Sequence, residues 1–279
     1  MLTLVFSLVT AAAYGCGDFL GGLATRRSHV MRVTAISSPV TMALLVAAYL
    51  MTGGTVSSEA IIWGAVAGIA AVLVLIFLYT CLSMGPMSVL SPTAAIVSAV
   101  LGSIAGALYF NEVLSALAIG AIVAALFAVI LVSGAIQRHS HAPRALALIL
   151  ALLSGLFITV SLLAYKMTPE DSGLFPTLIS RTLATTTFIV IFLMGRRRFT
   201  GERGSVRTAM LAGVLEATAT VFMLLAIRAG DIAIVSVVSS LYPAFTVLLA
   251  TGYLHERLHR TQIIGLVLAA GAVAVLAVS

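Results

Sequence analysis

Three ionisable side chains stand deep inside apolar stretches of the chain: Asp18, Arg181 and Glu216. A charged group at the centre of a bilayer costs about 3 kcal/mol even on the milder scales, unless it is paired or faces water. Each is therefore a functional candidate. At about 1.5 Å of rise per helical residue, Arg181 lies roughly 12 Å below the outer end of one span, and Glu216 roughly 15 Å above the inner end of the next. The depths overlap and the two spans are consecutive. An Arg181–Glu216 ion pair that fixes helix packing is the structural expectation. The functional alternative turns one or both toward a cavity, to bind a charged group of a substrate. Removing one partner of such a pair is far worse than removing both.

Asp18 has no partner evident in the sequence. It lies in Tyr14-Gly15-Cys16-Gly17-Asp18-Phe19-Leu20-Gly21-Gly22, with Tyr14 one helical turn away on the same face. A carboxyl so placed is a candidate for holding a substrate cation or a coupling proton; the alternative is a carboxyl bonded to a hydroxyl or to nearby backbone. Proton coupling apart, no cofactor is expected. Polar residues at helical spacing supply the rest of a candidate cavity. Thr159 stands on a face with Gly155 and Lys166, Thr220 with Glu216 and Met223, and Ser236, Ser239 and Ser240 precede Pro243, while Ser91, Pro92 and Ser98 mark another stretch. Prolines in such segments free backbone carbonyls for ligands or bends. Tyr79, Tyr165, Tyr242 and Trp63 are candidate aromatic walls, with interface anchoring as the alternative. Lys166 is expected to snorkel to the surface.

The elements that must position these groups are set by composition. Of 279 residues, 61% are hydrophobic and 9% charged, against about 25% charged in soluble domains. Such a chain belongs in a bilayer. Ten apolar runs have spanning length, at 2–24, 30–52, 59–83, 87–108, 113–134, 144–166, 173–194, 206–228, 231–253 and 260–279. They lack the alternation of a barrel strand. The first run has no basic leader and nine runs follow it, so it reads as a span and not a cleaved signal. The net charge of +6 sits in a few short loops, which argues against a nucleic-acid partner. Cys16 and Cys81 fall inside apolar runs and imply no disulfide framework.

The chain also repeats itself. Gly85, Glu112 and Gly120 recur as Gly230, Glu256 and Gly265, at offsets of 145, 144 and 145. The halves are 1–138 and 139–279. Odd-numbered loops hold Arg26, Arg27, Arg32, Arg138, Arg144, Arg196, Arg197, Arg198, Arg203, Arg207, Arg257 and Arg260, while even-numbered loops hold only Lys166 and Arg228. Basic loops face the cytoplasm, so both termini are expected outside. Five spans per half then turn the second copy upside down, as in many secondary transporters. Glu112 and Glu256 sit at helix ends, where a carboxylate favours the start of the next helix by roughly 0.3–1 kcal/mol; a turn-capping role is preferred over a transport role. Gly120 and Gly265 are read as sites of close helix contact, as are Gly17/Gly21, Gly64/Gly68 and Gly102/Gly106 at small-xxx-small spacing.

Along its full length the chain resembles the EamA-type transporters of the drug/metabolite transporter superfamily. The resemblance rests most on Ala229-Gly230-Asp231-Ile232-Ala233, Ser240-Leu241-Tyr242-Pro243-Ala244, Leu254-His255-Glu256-Arg257-Leu258 and Gln262-Ile263-Ile264-Gly265. The first half matches less well, with Met84-Gly85-Pro86-Met87-Ser88 and Ala99 where the second half has Pro243. Arg181 looks like an arginine often found in the family's seventh helix. The related small multidrug transporters carry an acidic residue in their first helix, a looser likeness to Asp18. The resemblance implies ten helices in two inverted five-helix halves, and movement of small metabolites or drugs, often outward.

The reading is an all-α membrane protein, not an enzyme, in a bacterial inner membrane. It carries a small-molecule solute, amino acids among the candidates, between two alternating halves. A multidrug efflux carrier and a lipid-handling membrane protein are the alternatives. No nucleotide-binding motif is present, so an ATP-driven pump is not expected. His255 and His259, one turn apart, lack a third metal ligand beyond Glu256. The basic 196–207 stretch is expected to meet anionic headgroups.

Overall fold

The structure is a computed structural model that describes residues 1–25, 27–84, 87–112, 114–132, 145–195, 201–202, 204–254 and 260–278. It is helical throughout, with no strand among the described residues beyond an isolated pairing of Ser28 with Gly201. The helices are α1 (Leu2–Thr25), α2 (Val30–Thr52), α3 (Ser58–Met84), α4 (Met87–Tyr109), α5 (Ala116–Val132), α6 (Ala145–Lys166), α7 (Phe175–Gly195), α8 (Ser205–Ala229), α9 (Ile232–Ser239), α10 (Tyr242–Leu254) and α11 (Arg260–Val278). Among the described residues six are long and apolar enough to cross a membrane (α1, α2, α3, α6, α7 and α8), and shorter apolar helices accompany them. Helices suit this composition because each satisfies its own backbone where no water can.

The ninth apolar run is interrupted. α9 ends at Ser239 and α10 begins at Tyr242, with Leu241 N–H donating to Val238 O at 3.2 Å. Pro243 is the physical reason: it has no N–H to give, and its ring would collide with the carbonyl four residues back, on Ser239. The fifth run starts later than its hydropathy suggests, at Ala116, after Asn111 adopts a φ of 50°.

α1 packs against α8, α9 and α10; α3 packs against α6 and α7; α2 packs against α7 and α8; α4 packs against α6 and α9; and α5 packs against α11. With lipid outside, helices gain from close backbone approach. A Cβ at Gly68 would meet the Ser180 Cα at 2.9 Å, one at Gly64 the Pro176 oxygen at 2.8 Å, and one at Gly155 the Ala94 oxygen at 2.6 Å. Gly102 lies as tightly against Ser236. Gly120 departs from the expectation: it is exposed, and a Cβ there would meet nothing within 4 Å. Its side of α5 does not carry the α5–α11 contact. Gly21 also meets nothing, while Gly17 makes an ordinary contact with Leu215 at 3.5 Å, and Gly265 is buried. Large apolar side chains such as Ile69, Phe127, Leu211 and Val267 are exposed, as expected of faces that meet acyl chains.

Two polar residues at helix ends do something other than expected. Glu112 does not serve the helix that follows it. Its carboxylate accepts from Ile232 N at 2.7 Å and from Ala233 N at 3.0 Å, at the start of α9. Lys166 does not snorkel outward. Its ammonium donates to the carbonyls of Ile227 (3.2 Å) and Gly230 (2.9 Å) at the end of α8, above the Phe110 ring. Both choices follow from helix ends, which leave N–H groups unpaired at the start and carbonyls at the finish. Glu256, Gly85, the central linker, His255, His259 and the 196–200 part of the basic stretch lie outside the described residues.

Candidate functional site

A cavity of about 230 Å³ lies among α1, α2, α3, α4, α6, α7, α8, α9 and the start of α10, so both halves of the sequence line it. Among the described residues its charged lining is the three that the sequence singles out: Asp18 from α1, Arg181 from α7 and Glu216 from α8. α1 and α8 pack along much of their length, which sets Asp18 and Glu216 close enough for their charges to act on one another.

Arg181 and Glu216 form an ion pair, Nη1 to Oε1. The other guanidinium nitrogen, Nη2, donates to Thr220 Oγ1 at 2.7 Å, and the Thr220 hydroxyl donates in turn to the Glu216 backbone carbonyl at 2.8 Å. From α2, Thr41 Oγ1 lies 3.4 Å from Glu216 Oε2 and 2.9 Å from the Gly213 carbonyl. The pair thus joins α2, α7 and α8. Its two readings are compatible, since it fixes helix packing and also lines the cavity. Arg181 Nε is buried without a partner among the described residues.

Asp18 differs. It is exposed within the cavity and makes no hydrogen bond or ion pair among the described residues. The expectation of a carboxyl bonded to a hydroxyl or to nearby backbone is not met. Tyr14, one turn away on α1, lines the same cavity and stands near Arg181, as does Tyr165 from α6.

The other sequence candidates divide. Ser239 and Tyr242, on either side of the α9–α10 break, line the cavity, as do Ser98, Ser236, Ser240 and Met223. Thr220 is buried and acts as a partner of Arg181. Thr159 is not at the cavity: it is 3% exposed, and its hydroxyl donates to the Ser98 carbonyl (3.3 Å) and the Gly155 carbonyl (3.2 Å), tying α6 to α4. The side chains of Tyr79, Ser91 and Pro92 lie outside the described residues. Thr34, Ser37 and Ser38 on α2 line the cavity without having been singled out. Their spacing, continued by Thr41, puts hydroxyls on one helical face, and that pattern was available in the sequence.

Residues 145–278 match the model of a family described as EamA-like transporter family. No curated protein matches the chain. One solved structure, described as "Crystal structure of protein", is similar with a TM-score of 0.78 at 18% sequence identity, covering 99% of this chain and 96% of that one. At that identity the likeness speaks for the fold alone.

Proposed function

We propose that this chain, an integral membrane protein whose residues 145–278 belong to the EamA-like transporter family, is a secondary transporter of small solutes. The observation that carries the reading is the shared cavity, where Asp18, with no hydrogen bond among the described residues, lies beside the Arg181–Glu216 ion pair. Alternating exposure of this site by rocking of two halves is the expected mechanism. Its substrates are small metabolites, with amino acids among the candidates, and export is the expected direction. Energy comes from the solute gradient or from protons exchanged at Asp18. The membrane is a bacterial inner membrane, with both termini outside.

The helix pairings support two related halves, 1–138 and 139–279. Exchange α1 to α5 with α6, α7, α8, the α9–α10 segment and α11. The α1–α8 contact then falls on α6–α3, α2–α8 on α7–α3, and α4–α6 on the contact of α9 and α10 with α1. The pairings α2–α7, α4–α9 and α5–α11 map onto themselves. Close contacts follow suit. Gly68 meets Ser180 and Gly213 meets Ser37, at offsets of 145 between the glycines and 143 between the serines. Together with the one-sided basic loops, this favours opposite orientation of the halves.

Cavity size favours a metabolite over bulky drugs: about 230 Å³ is below the ~300–1,000 Å³ usual for drug-sized ligands. A lipid-handling role is the reading from another class. Sealed proteoliposomes decide. Accumulation or exchange of a labelled soluble solute supports the transporter, and redistribution of labelled lipid with no solute movement overturns it.

A further inference from the structure

The two ends of the cavity are sealed unequally. At the end opposite Arg27 and Arg32 it stops on one buried cluster, Tyr165, Leu174, Leu224, Ile227, Ile232 and Val235, which joins α6, α8, α9 and the start of α7. At the other end its lining runs to Gly21 and Val33, within four residues of where α1 ends and α2 begins. The buried cluster there, Ala24, Val33 and Ala209, joins α1, α2 and α8 and leaves out α3 and α6. The two cations at the sealed end, Lys166 and Arg228, both cross the seam between α6 and α8. Lys166 Nζ reaches from α6 to the carbonyls of Ile227 (3.2 Å) and Gly230 (2.9 Å). Arg228 Nη2 reaches back from α8 to the Pro169 carbonyl and the Ser172 hydroxyl, each at 3.2 Å, between α6 and α7. Neither cation is in an ion pair among the described residues. They are held by neutral oxygens, a weaker hold than a carboxylate gives.

We infer that Lys166 and Arg228 are positioning residues, a clasp that holds the cavity shut at this end and releases when solute passes. This rests on the transporter reading and adds to it what sets the preferred state. α6 and α8 both wall the cavity, so opening this end parts them. Under the exchange of halves the α6–α8 contact falls on α1 and α3, which do not pack on one another to a comparable degree. The repeat offset of 145 puts Gly21 and Ser83 at the places of Lys166 and Arg228. Glycine has no side chain to reach across, and a Cβ at Gly21 would meet nothing within 4 Å. The clasp thus exists on one side of the repeat. Two identical halves would favour neither closure; a contact made in one state and not in the other shifts the balance toward the state that has it.

The test is the side from which the cavity is reached. Cys16 and Cys81 are replaced by Ala, and Ser161→Cys on α6, at the cavity wall, reports its accessibility. A membrane-impermeant maleimide is added to right-side-out or to inverted membrane vesicles. Glu59→Cys, exposed at the sealed end, shows in a separate sample which face the reagent meets. With the clasp intact, labelling of Ser161→Cys is expected mainly from the face of Arg27 and Arg32. Lys166→Met with Arg228→Met is expected to raise labelling from the opposite face at least about threefold and to lower it from the first. Lys166→Arg, which keeps a donor at that place, is expected to label as the intact clasp does. Unchanged labelling in the Met variant at an unchanged melting point overturns the inference. So does equal labelling of the intact clasp from both faces, which needs no clasp variant to fold. Solute movement by the wild type with unchanged labelling in the Met variant removes the clasp and keeps the transporter. Shifted labelling with no solute moved in proteoliposomes does the reverse.

Discussion

The carboxylate of Glu112 accepts two backbone N–H groups at the start of α9. The carboxylate of Asp18, inside α1 and away from its terminal turns, has no hydrogen bond among the described residues and opens onto the cavity. The same chemical group is thus spent on the fold in one place and left available in the other. A carboxylate at a helix N-terminus is favourable in its own right, so its presence needs no ligand to explain it. An unpaired carboxylate within a membrane span is unfavourable until something positive arrives. Glu112 thus serves the start of α9, and Asp18 is the carboxylate on which the proposed transport rests.

Substitutions that separate stability from transport sharpen this contrast. The largest loss of stability is expected where a charge is left alone. Arg181→Met or Glu216→Leu singly should cost about 3–5 kcal/mol in a fully buried setting, and less for the charge left behind here, because the Glu216 side chain is 26% exposed. The double variant should recover most of the loss. Thermal unfolding in detergent would show this, and equal melting points for single and double variants would break the claim that the two act as a unit. Next comes packing. Gly68→Val forces side-chain atoms into Ser180 and should cost about 1–3 kcal/mol, whereas Gly120→Ala, with open space around it, should be within ~0.5 kcal/mol of wild type.

Glu112→Ala removes the acceptor for two α9 N–H groups and should cost about 1 kcal/mol, with transport falling only as far as the folded fraction falls. A loss of transport in well-folded Glu112→Ala would blur the contrast between the two carboxylates. The smallest change in stability is expected for Asp18→Asn, within ~0.5 kcal/mol because no bond is lost. Its effect on transport should nevertheless be the largest of the set. A strongly destabilised Asp18→Asn would mean that the carboxylate has a structural partner after all.

What could be read from the sequence follows the physical range of each effect. Helix positions were legible because hydropathy over some twenty residues is a local property. The Arg181–Glu216 pair was legible because depth in a span can be counted from its ends. The destination of Glu112 was not, since its partners Ile232 and Ala233 lie 120 and 121 residues away and the nearer helix was the natural guess. Lys166 looked like a surface anchor for the same reason: the carbonyls it caps belong to α8. Spacing placed Gly120 within an apolar helix but could not say which side meets a neighbour. The hydroxyls of α2 were visible at helical spacing, yet only its packing on α7 and α8 turns them toward the cavity.

The central claim is that solute passes through the cavity by way of Asp18. Counterflow in proteoliposomes tests it most directly, with a labelled panel of amines and amino acids, comparing wild type, Asp18→Asn and Glu112→Ala at equal amounts of folded protein. The expected result is exchange by wild type and Glu112→Ala, and background rates for Asp18→Asn with an unchanged melting point. Exchange by Asp18→Asn at the wild-type rate, for a solute that the wild type moves, would contradict it.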